Sequence, residues 1–250
     1  MTDMKELIEQ QLLEADRLGR KFVHPKLSAM FDLAGMKAYF HRAEGQYLYD
    51  GEGNRYLDFL SSGGVQFIGR NHPTIQKAVA DVAQMDLPNL TILNPSILGG
   101  RLAQKLIELT GGAYGKVLFG SSGTESTDLA LRFARYCTKK RRFLYLEGAF
   151  HGRTYASISC CGFPELREGM EPLMPTCTPI RINDLKQLRQ ELKYNDVAAV
   201  IVETVQGMTC EVMEAAYLRE ADALCKQYGA LLIVDEVQTG LGRTDRKSVV

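Results

Sequence analysis

ALLIVDEVQTGLGR, residues 230–243, sets apolar residues at consecutive positions from Ala230 to Val234 and then two carboxylates, Asp235 and Glu236. A strand that is apolar throughout, not at every second residue, suits a sheet covered on both faces. Going back along the chain, AAVIVET (198–204), FLYL (143–146) and VLF (117–119) repeat the pattern, with helical stretches between them. This alternation predicts an α/β fold with a mostly parallel sheet. In such sheets the carboxyl ends of the strands face the ligand crevice, so Asp235 and Glu236 stand where ligands bind. A helix cap or a solvated strand end is the plain alternative.

The first of these helical stretches along the chain lies in VLFGSSGTESTDLALRFARYC (117–137). Small residues from Gly120 to Thr124 lead into a helix carrying Leu129, Ala130, Phe133 and Ala134. The first turn of a helix presents unpaired N–H groups and the positive end of the helix dipole, so an anion such as a phosphate fits there. Local pattern alone fits equally well a helix capped by Ser122 or Thr124, with Glu125 in the first turn. A P-loop is excluded because Lys116 precedes Val117 with no glycine at the required offset. A nucleophile elbow is excluded because Gly120-Ser121-Ser122-Gly123-Thr124 lacks its last glycine. Without a P-loop, the likeness of Ile233-Val234-Asp235-Glu236 to an ATPase acidic strand has no phosphate partner.

Two further strand ends carry candidate groups. In LEGAFHGRTYAS (146–157), Phe150 could stack on a flat ring and Arg153 could grip a carboxylate through paired hydrogen bonds. Taken singly, Phe150 fits ordinary core packing better, and His151 equally fits a hydrogen-bonded structural role. AAVIVETVQG places Glu203 at another strand end.

The N-terminal region differs in character. Lys5 to Arg20 spaces Leu7, Ile8, Leu12, Leu13 and Leu18 as an amphipathic helix would. Tyr47–Asp50 and Arg55–Leu60 flank the turn residues Gly51, Glu52, Gly53 and Asn54, which predicts a hairpin. Helices are expected over Pro73–Met85, with an apolar stripe of Ile75, Val79 and Val82, and over Ile97–Leu109. A boundary near Leu60 divides an N-terminal helix and hairpin segment, 1–60, from the α/β run, 61–250.

Composition narrows the function classes. The 250 residues are 45% hydrophobic and 24% charged, which excludes disordered, collagen-like and coiled-coil chains. Thirty basic and thirty acidic residues leave a formal charge of +0, so no sequence-wide attraction to nucleic acid or anionic lipid is expected. No apolar run approaches the roughly 18 residues a spanning helix needs, and the first residues are too charged for a signal peptide. The expected location is the cytoplasm. The six cysteines form no CxxC pair and have only four histidines beside them, which fits buried free thiols and neither a zinc site nor a disulfide framework.

In order along the chain, YLYDGEGNRYLDFLSSGG (47–64), GRNHP (69–73), GSSGTES (120–126), GAFHGRT (148–154), ETVQG (203–207) and LLIVDEVQTGLGRT (231–244) resemble the class III aminotransferases. That family belongs to the fold-type-I enzymes that use pyridoxal 5'-phosphate (PLP). The resemblance runs from about Gly45 onward, and SGTES and GAFHG lean toward the members acting on ornithine, acetylornithine and putrescine. It implies a PLP-binding large domain, incomplete here, with the N-terminal part of a small domain. It also implies that Ser122, Gly123 and Thr124 bind the cofactor phosphate, and that Phe150 stacks on the pyridine ring with His151 beside it. Asp235 would pair with the ring nitrogen, Val237 pack on the other ring face, Gln238 bond the phenolic oxygen and Glu203 support the pocket. Arg153 would clamp a substrate carboxylate. The implied reaction moves an amino group from an amino acid or diamine to a 2-oxo acid, in an enzyme whose sites form at a homodimer interface. Aminomutation or decarboxylation on the same fold, or a non-catalytic fragment or partner subunit, are the alternatives.

Two departures qualify the likeness. Thr204 and Met208 stand where members often have Pro and Glu. The Schiff-base lysine of the family lies well beyond the Asp235 position, and the only lysine after Asp235 is Lys247, in the unlike context TDRKSVV. The expectation is a chain truncated before that lysine, inactive by itself.

Overall fold

The computed structural model describes residues 4, 6, 8, 14–35, 40–88 and 96–244. Two compact units emerge, Met1–Leu90 and Thr91–Val250. Among the described residues no helix is long and apolar enough to cross a membrane.

The first unit contains helices α1 (Ala15–Phe22), α2 (Pro25–Leu33) and α3 (Pro73–Ala83), and a three-stranded antiparallel sheet of β1 (Phe40–Glu44), β2 (Tyr47–Asp50) and β3 (Arg55–Leu57). The expected hairpin is β2–β3, although its second strand stops at Leu57, short of Leu60. Its turn closes because Asp50 Oδ1 accepts the N–H groups of Glu52 and Asn54, at 3.0 and 2.9 Å. The β1 strand has no counterpart in the sequence reading. In the expected N-terminal helix, Lys5, Leu7, Leu12 and Leu13 lie outside the described residues. The α3 stripe is not buried, with Ile75 and Val79 exposed.

The second unit begins with α4 (Ile97–Leu109), whose bounds match the expectation, capped by Ser96 Oγ accepting from the Gly99 N–H. It continues with α5 (Gly123–Thr138), β4 (Arg142–Leu146), α6 (Tyr155–Ser159), α7 (Pro164–Arg167), β5 (Cys177–Ile180), α8 (Leu185–Leu192), β6 (Val197–Val202), α9 (Ala215–Gln227) and β7 (Leu231–Val234). The four strands pair in parallel in the order β5-β4-β6-β7, so the predicted α/β class with a parallel sheet is what the chain forms. All six residues of β6 are buried, as a doubly covered strand requires. Alternate residues serve opposite faces: Leu144, Leu146, Val200 and Val202 pack with Leu188 and Leu192 of α8 and with Tyr217, Ala221 and Leu224 of α9. Phe143, Tyr145, Ala199 and Ile201 pack with Leu131 and Ala134 of α5.

One strand expectation fails. Residues 117–119 form no strand, and Leu118 is 61% exposed. A strand exists through its ladder, and no described residue pairs with this segment. The buried-thiol expectation holds for Cys160, Cys161 and Cys225, whereas Cys137 and Cys210 are exposed and Cys177 is partly so.

Candidate functional site

Because the four strands are parallel, the segments leaving β4, β6 and β7 emerge at one edge of the sheet, and within the second unit that edge gathers most of the candidate residues. At the start of α5, Ser122 adopts an extended conformation and its Oγ accepts the Glu125 N–H at 3.3 Å. Glu125 in turn accepts from the Ser121 N–H at 2.6 Å and from the Ser121 hydroxyl, contacts that hold its carboxyl below the usual range. The N–H groups of Gly123 and Thr124, in the first turn, have no intrahelical acceptor.

The Thr124 hydroxyl is committed to its own chain. Its Oγ1 accepts the N–H groups of Arg153 and Thr154, both at 3.1 Å, and lies 2.8 Å from Thr154 Oγ1 and 2.7 Å from Ser157 Oγ. A hydroxyl offers one donor and two acceptor sites, so these contacts saturate it. The hydroxyl acts as a tie between α5 and the loop after β4, and the donors this loop leaves without an intrahelical acceptor are first-turn backbone N–H groups. Thr154 and Ser157 were not singled out from sequence; their place, at the start of a short helix after GAFHGR, was the available signal. Gly152 makes the tie possible. Its φ is +126°, and a Cβ there would fall on the Thr124 hydroxyl and 2.8 Å from the Thr124 Cα.

Asp235 follows β7 directly, and its side chain is only 8% exposed. Its Oδ2 lies 2.7 Å from Nδ1 of the fully buried His151, and its Oδ1 accepts the Val237 N–H at 3.0 Å. With Nδ1–H donating to the carboxylate, His151 fixes the carboxylate's orientation. Nε2 of His151 is buried without a hydrogen-bond partner. Two residues on from Asp235, Val237 lies against the α5 start: a Cβ on Gly123 would be 3.0 Å from Val237 Cγ2. The carboxylate, the imidazole and the glycine loop therefore belong to one constellation.

Glu203 is buried and spans two strand ends. Its Oε1 accepts the Phe150 N–H at 2.9 Å and its Oε2 accepts the Gly207 N–H at 2.8 Å. Burial pushes its carboxyl up, opposed by those two N–H groups, and nearby Asp235 adds to the rise. Gln206, not anticipated, reinforces the same junction: its Nε2 donates to the Glu147 carbonyl at 2.8 Å and its Oε1 accepts from Thr209 at 2.6 Å.

The remaining candidates are less tightly held. Phe150 is half-buried. Gln238 is exposed, with its Cγ 3.0 Å from where a Gly207 Cβ would stand. Arg153 is exposed and contributes its backbone N–H to Thr124. Thr204 and Met208, the two departures, lie on the β6 exit, where Thr204 Oγ1 reaches Thr239 Oγ1 at 3.4 Å. Among the described residues no three His, Cys, Asp or Glu side chains cluster as metal ligands.

Over most of its length the chain is similar to known proteins. The acetylornithine aminotransferase of Bacillus anthracis is 38% identical over 220 residues, covering 87% of this chain and 56% of that protein. The crystal structure of ornithine aminotransferase from Toxoplasma gondii ME49 matches with a TM-score of 0.78 at 28% identity, covering 93% of this chain and 58% of that one. An amine transaminase from an uncultivated Pseudomonas species, solved in its PLP-bound form, matches with a TM-score of 0.78 at 26% identity, covering 89% and 57%. The chain thus spans little more than half the length of these proteins. The family model for "Aminotransferase class-III" matches residues 32–246. With that match covering most of its length, this chain belongs to the class-III aminotransferases.

Proposed function

We propose that this chain carries the cofactor face of a PLP-dependent aminotransferase that moves an amino group from a diamine or ω-amino acid of the ornithine and acetylornithine kind to a 2-oxo acid. The donor class rests on the acetylornithine and ornithine aminotransferases among its relatives. The observation that carries the reading is the packing of Val237 on Gly123 while Asp235, two residues earlier, is oriented by His151.

The residues fit the group. Two first-turn N–H groups at Gly123 and Thr124 are available to a phosphate. Each oxygen of Asp235 makes one hydrogen bond, to His151 or to the Val237 N–H, and keeps a lone pair for a ring N–H. Nε2 of His151 is a buried polar atom that the protein leaves unmatched. When bound, PLP supplies an electron sink for the electrons released as the substrate Cα loses its proton. The chain's own residues would hold and orient the group. Asp235 holds a proton on the ring nitrogen by its negative charge, His151 keeps that carboxylate in place, and Glu203 fixes the backbone of Phe150 so that its ring can cover the site. Arg153 receives a substrate carboxylate.

Among the described residues no lysine is hydrogen-bonded or ion-paired to these groups, so covalent attachment and Cα proton transfer are assigned to none of them. On this reading the chain binds PLP reversibly through these residues, and the whole enzyme of the family would act as a homodimer. Titration with PLP, followed by absorbance, should show reversible binding that Asp235→Asn weakens at least tenfold, equivalent to about 1.4 kcal/mol. Equal affinities, or a borohydride-fixed adduct mapped to a lysine within residues 1–250, would refute the proposal.

A further inference from the structure

Cys160 and Cys177 come from different elements and meet in the core. Cys160 immediately follows α6 and is fully buried; Cys177 opens β5, opposite Phe143 of β4, and is partly exposed. Their sulfurs stand 3.6 Å apart, and both are free thiols. Cys161, next in sequence, instead directs its Sγ toward the Phe163 carbonyl at 3.9 Å.

The pair lies one short helix from the site. The Cys160 N–H donates to the Ser157 carbonyl at 3.1 Å, and Ser157 Oγ is one of the two hydroxyls against Thr124. On the other side, the Gly162 N–H donates to the Ala149 carbonyl at 2.8 Å, just before Phe150 and His151.

We propose that Cys160 and Cys177 are a modification site: a dithiol that hydrogen peroxide converts to a disulfide, loosening the hydroxyl cluster that holds Thr124. The two thiols are not equivalent. The Cys160 S–H and the Arg135 guanidinium hold the Cys177 thiol below its ordinary range, while contact with Cys177 and burial push Cys160 up. Cys177 is also the more accessible, which makes it the attacking thiolate. Its Sγ attacks one peroxide oxygen, the O–O bond breaks, and Cys177 becomes a sulfenic acid as the other oxygen leaves as water. Cys160 Sγ then attacks Cys177 Sγ, the S–O bond breaks and a second water leaves. The two thiols lose two electrons and two protons, and peroxide becomes two waters.

Closing the gap from 3.6 Å to the roughly 2 Å of an S–S bond requires a movement of about 1.5 Å. The β5 strand is held along its length by its ladder to β4, whereas α6 has five residues. Whatever part of this movement side-chain rotation does not supply falls on α6, and so on Ser157 and Thr154 beside Thr124.

The full chain, treated with hydrogen peroxide and then blocked with N-ethylmaleimide, provides the test. Trypsin places Cys160 in residues 154–167 and Cys177 in residues 168–181. Mass spectrometry should find these peptides joined with the loss of two hydrogens, fragmentation should place the bond at Cys160, and dithiothreitol should reverse it. Cys160→Ser should leave a dimedone-reactive sulfenic acid on Cys177, and amide exchange over residues 154–159 should rise in the oxidised wild type. Both thiols fully alkylated after peroxide, or a bond through Cys161, would overturn the proposal. A correct bond with unchanged exchange would overturn its link to Thr124. These readouts are masses and exchange rates, so failure of the PLP assignment leaves the result intact.

Discussion

Gly152→Ala is the sharpest test of how the site is tied together. The new Cβ would sit on the Thr124 hydroxyl and 2.8 Å from the Thr124 Cα, so the loop or the start of α5 must move. Holding a non-glycine residue at φ +126° costs roughly 1–3 kcal/mol. Displacement also weakens the two N–H bonds that Thr124 Oγ1 accepts from Arg153 and Thr154, worth roughly 1 kcal/mol each. The expected loss is about 3–5 kcal/mol, the sum of those terms. Gly169→Ala is the matched control: its φ is +76°, but nothing lies within 4 Å of the added Cβ, so backbone strain of roughly 1–2 kcal/mol is the whole cost. Urea unfolding of the three proteins, followed by far-UV circular dichroism, gives both differences from their midpoints and slopes. If Gly152→Ala costs no more than about 1 kcal/mol beyond Gly169→Ala, the close approach of Gly152 to Thr124 does not hold the loop and the reasoning fails.

Glu203→Gln should change how stability depends on pH. The folded-state carboxyl is raised above its ordinary 4.5 by burial, so its contribution is full below that value and is lost as pH rises through the folded value. The stability of wild type relative to Glu203→Gln should therefore fall from acid toward neutral pH, and a flat or rising difference would contradict the assignment. Ser122→Ala removes the acceptor for the Glu125 N–H and should cost about 1 kcal/mol, with faster amide exchange at Glu125; unchanged exchange there would argue that Ser122 does not cap α5.

The doubly covered strands were legible because burial on both faces leaves its mark in composition: every residue of VAAVIV in β6 is apolar and every one is buried. VLF at 117–119 has the same composition and forms no strand, because pairing depends on a partner that local sequence does not name. The reverse error occurs at β5, where CTPI, with Pro179 inside it, gives a weak signal yet pairs along β4. Proline is tolerated there because β5 is the edge strand, and a missing N–H on the outer side breaks no ladder.

The site divides along a similar line. In the sequence, Glu203 and Thr124 stand as groups for a cofactor because each follows a strand or opens a helix in a family motif. In the folded chain both are occupied by backbone N–H groups: Glu203 accepts from Phe150 and Gly207, and Thr124 from Arg153 and Thr154. Strand ends leave N–H groups with no ladder partner, and a buried one must find an acceptor or cost about 1–3 kcal/mol. A carboxylate or hydroxyl at that position meets the need, which fixes these residue types at strand ends whether or not a ligand ever touches them. Asp235 differs: one of its oxygens accepts the Val237 N–H, but the other meets a side chain, His151, whose second nitrogen is left without a partner. Replacing Glu203 or Thr124 should therefore register first in stability, and replacing Asp235 first in cofactor affinity.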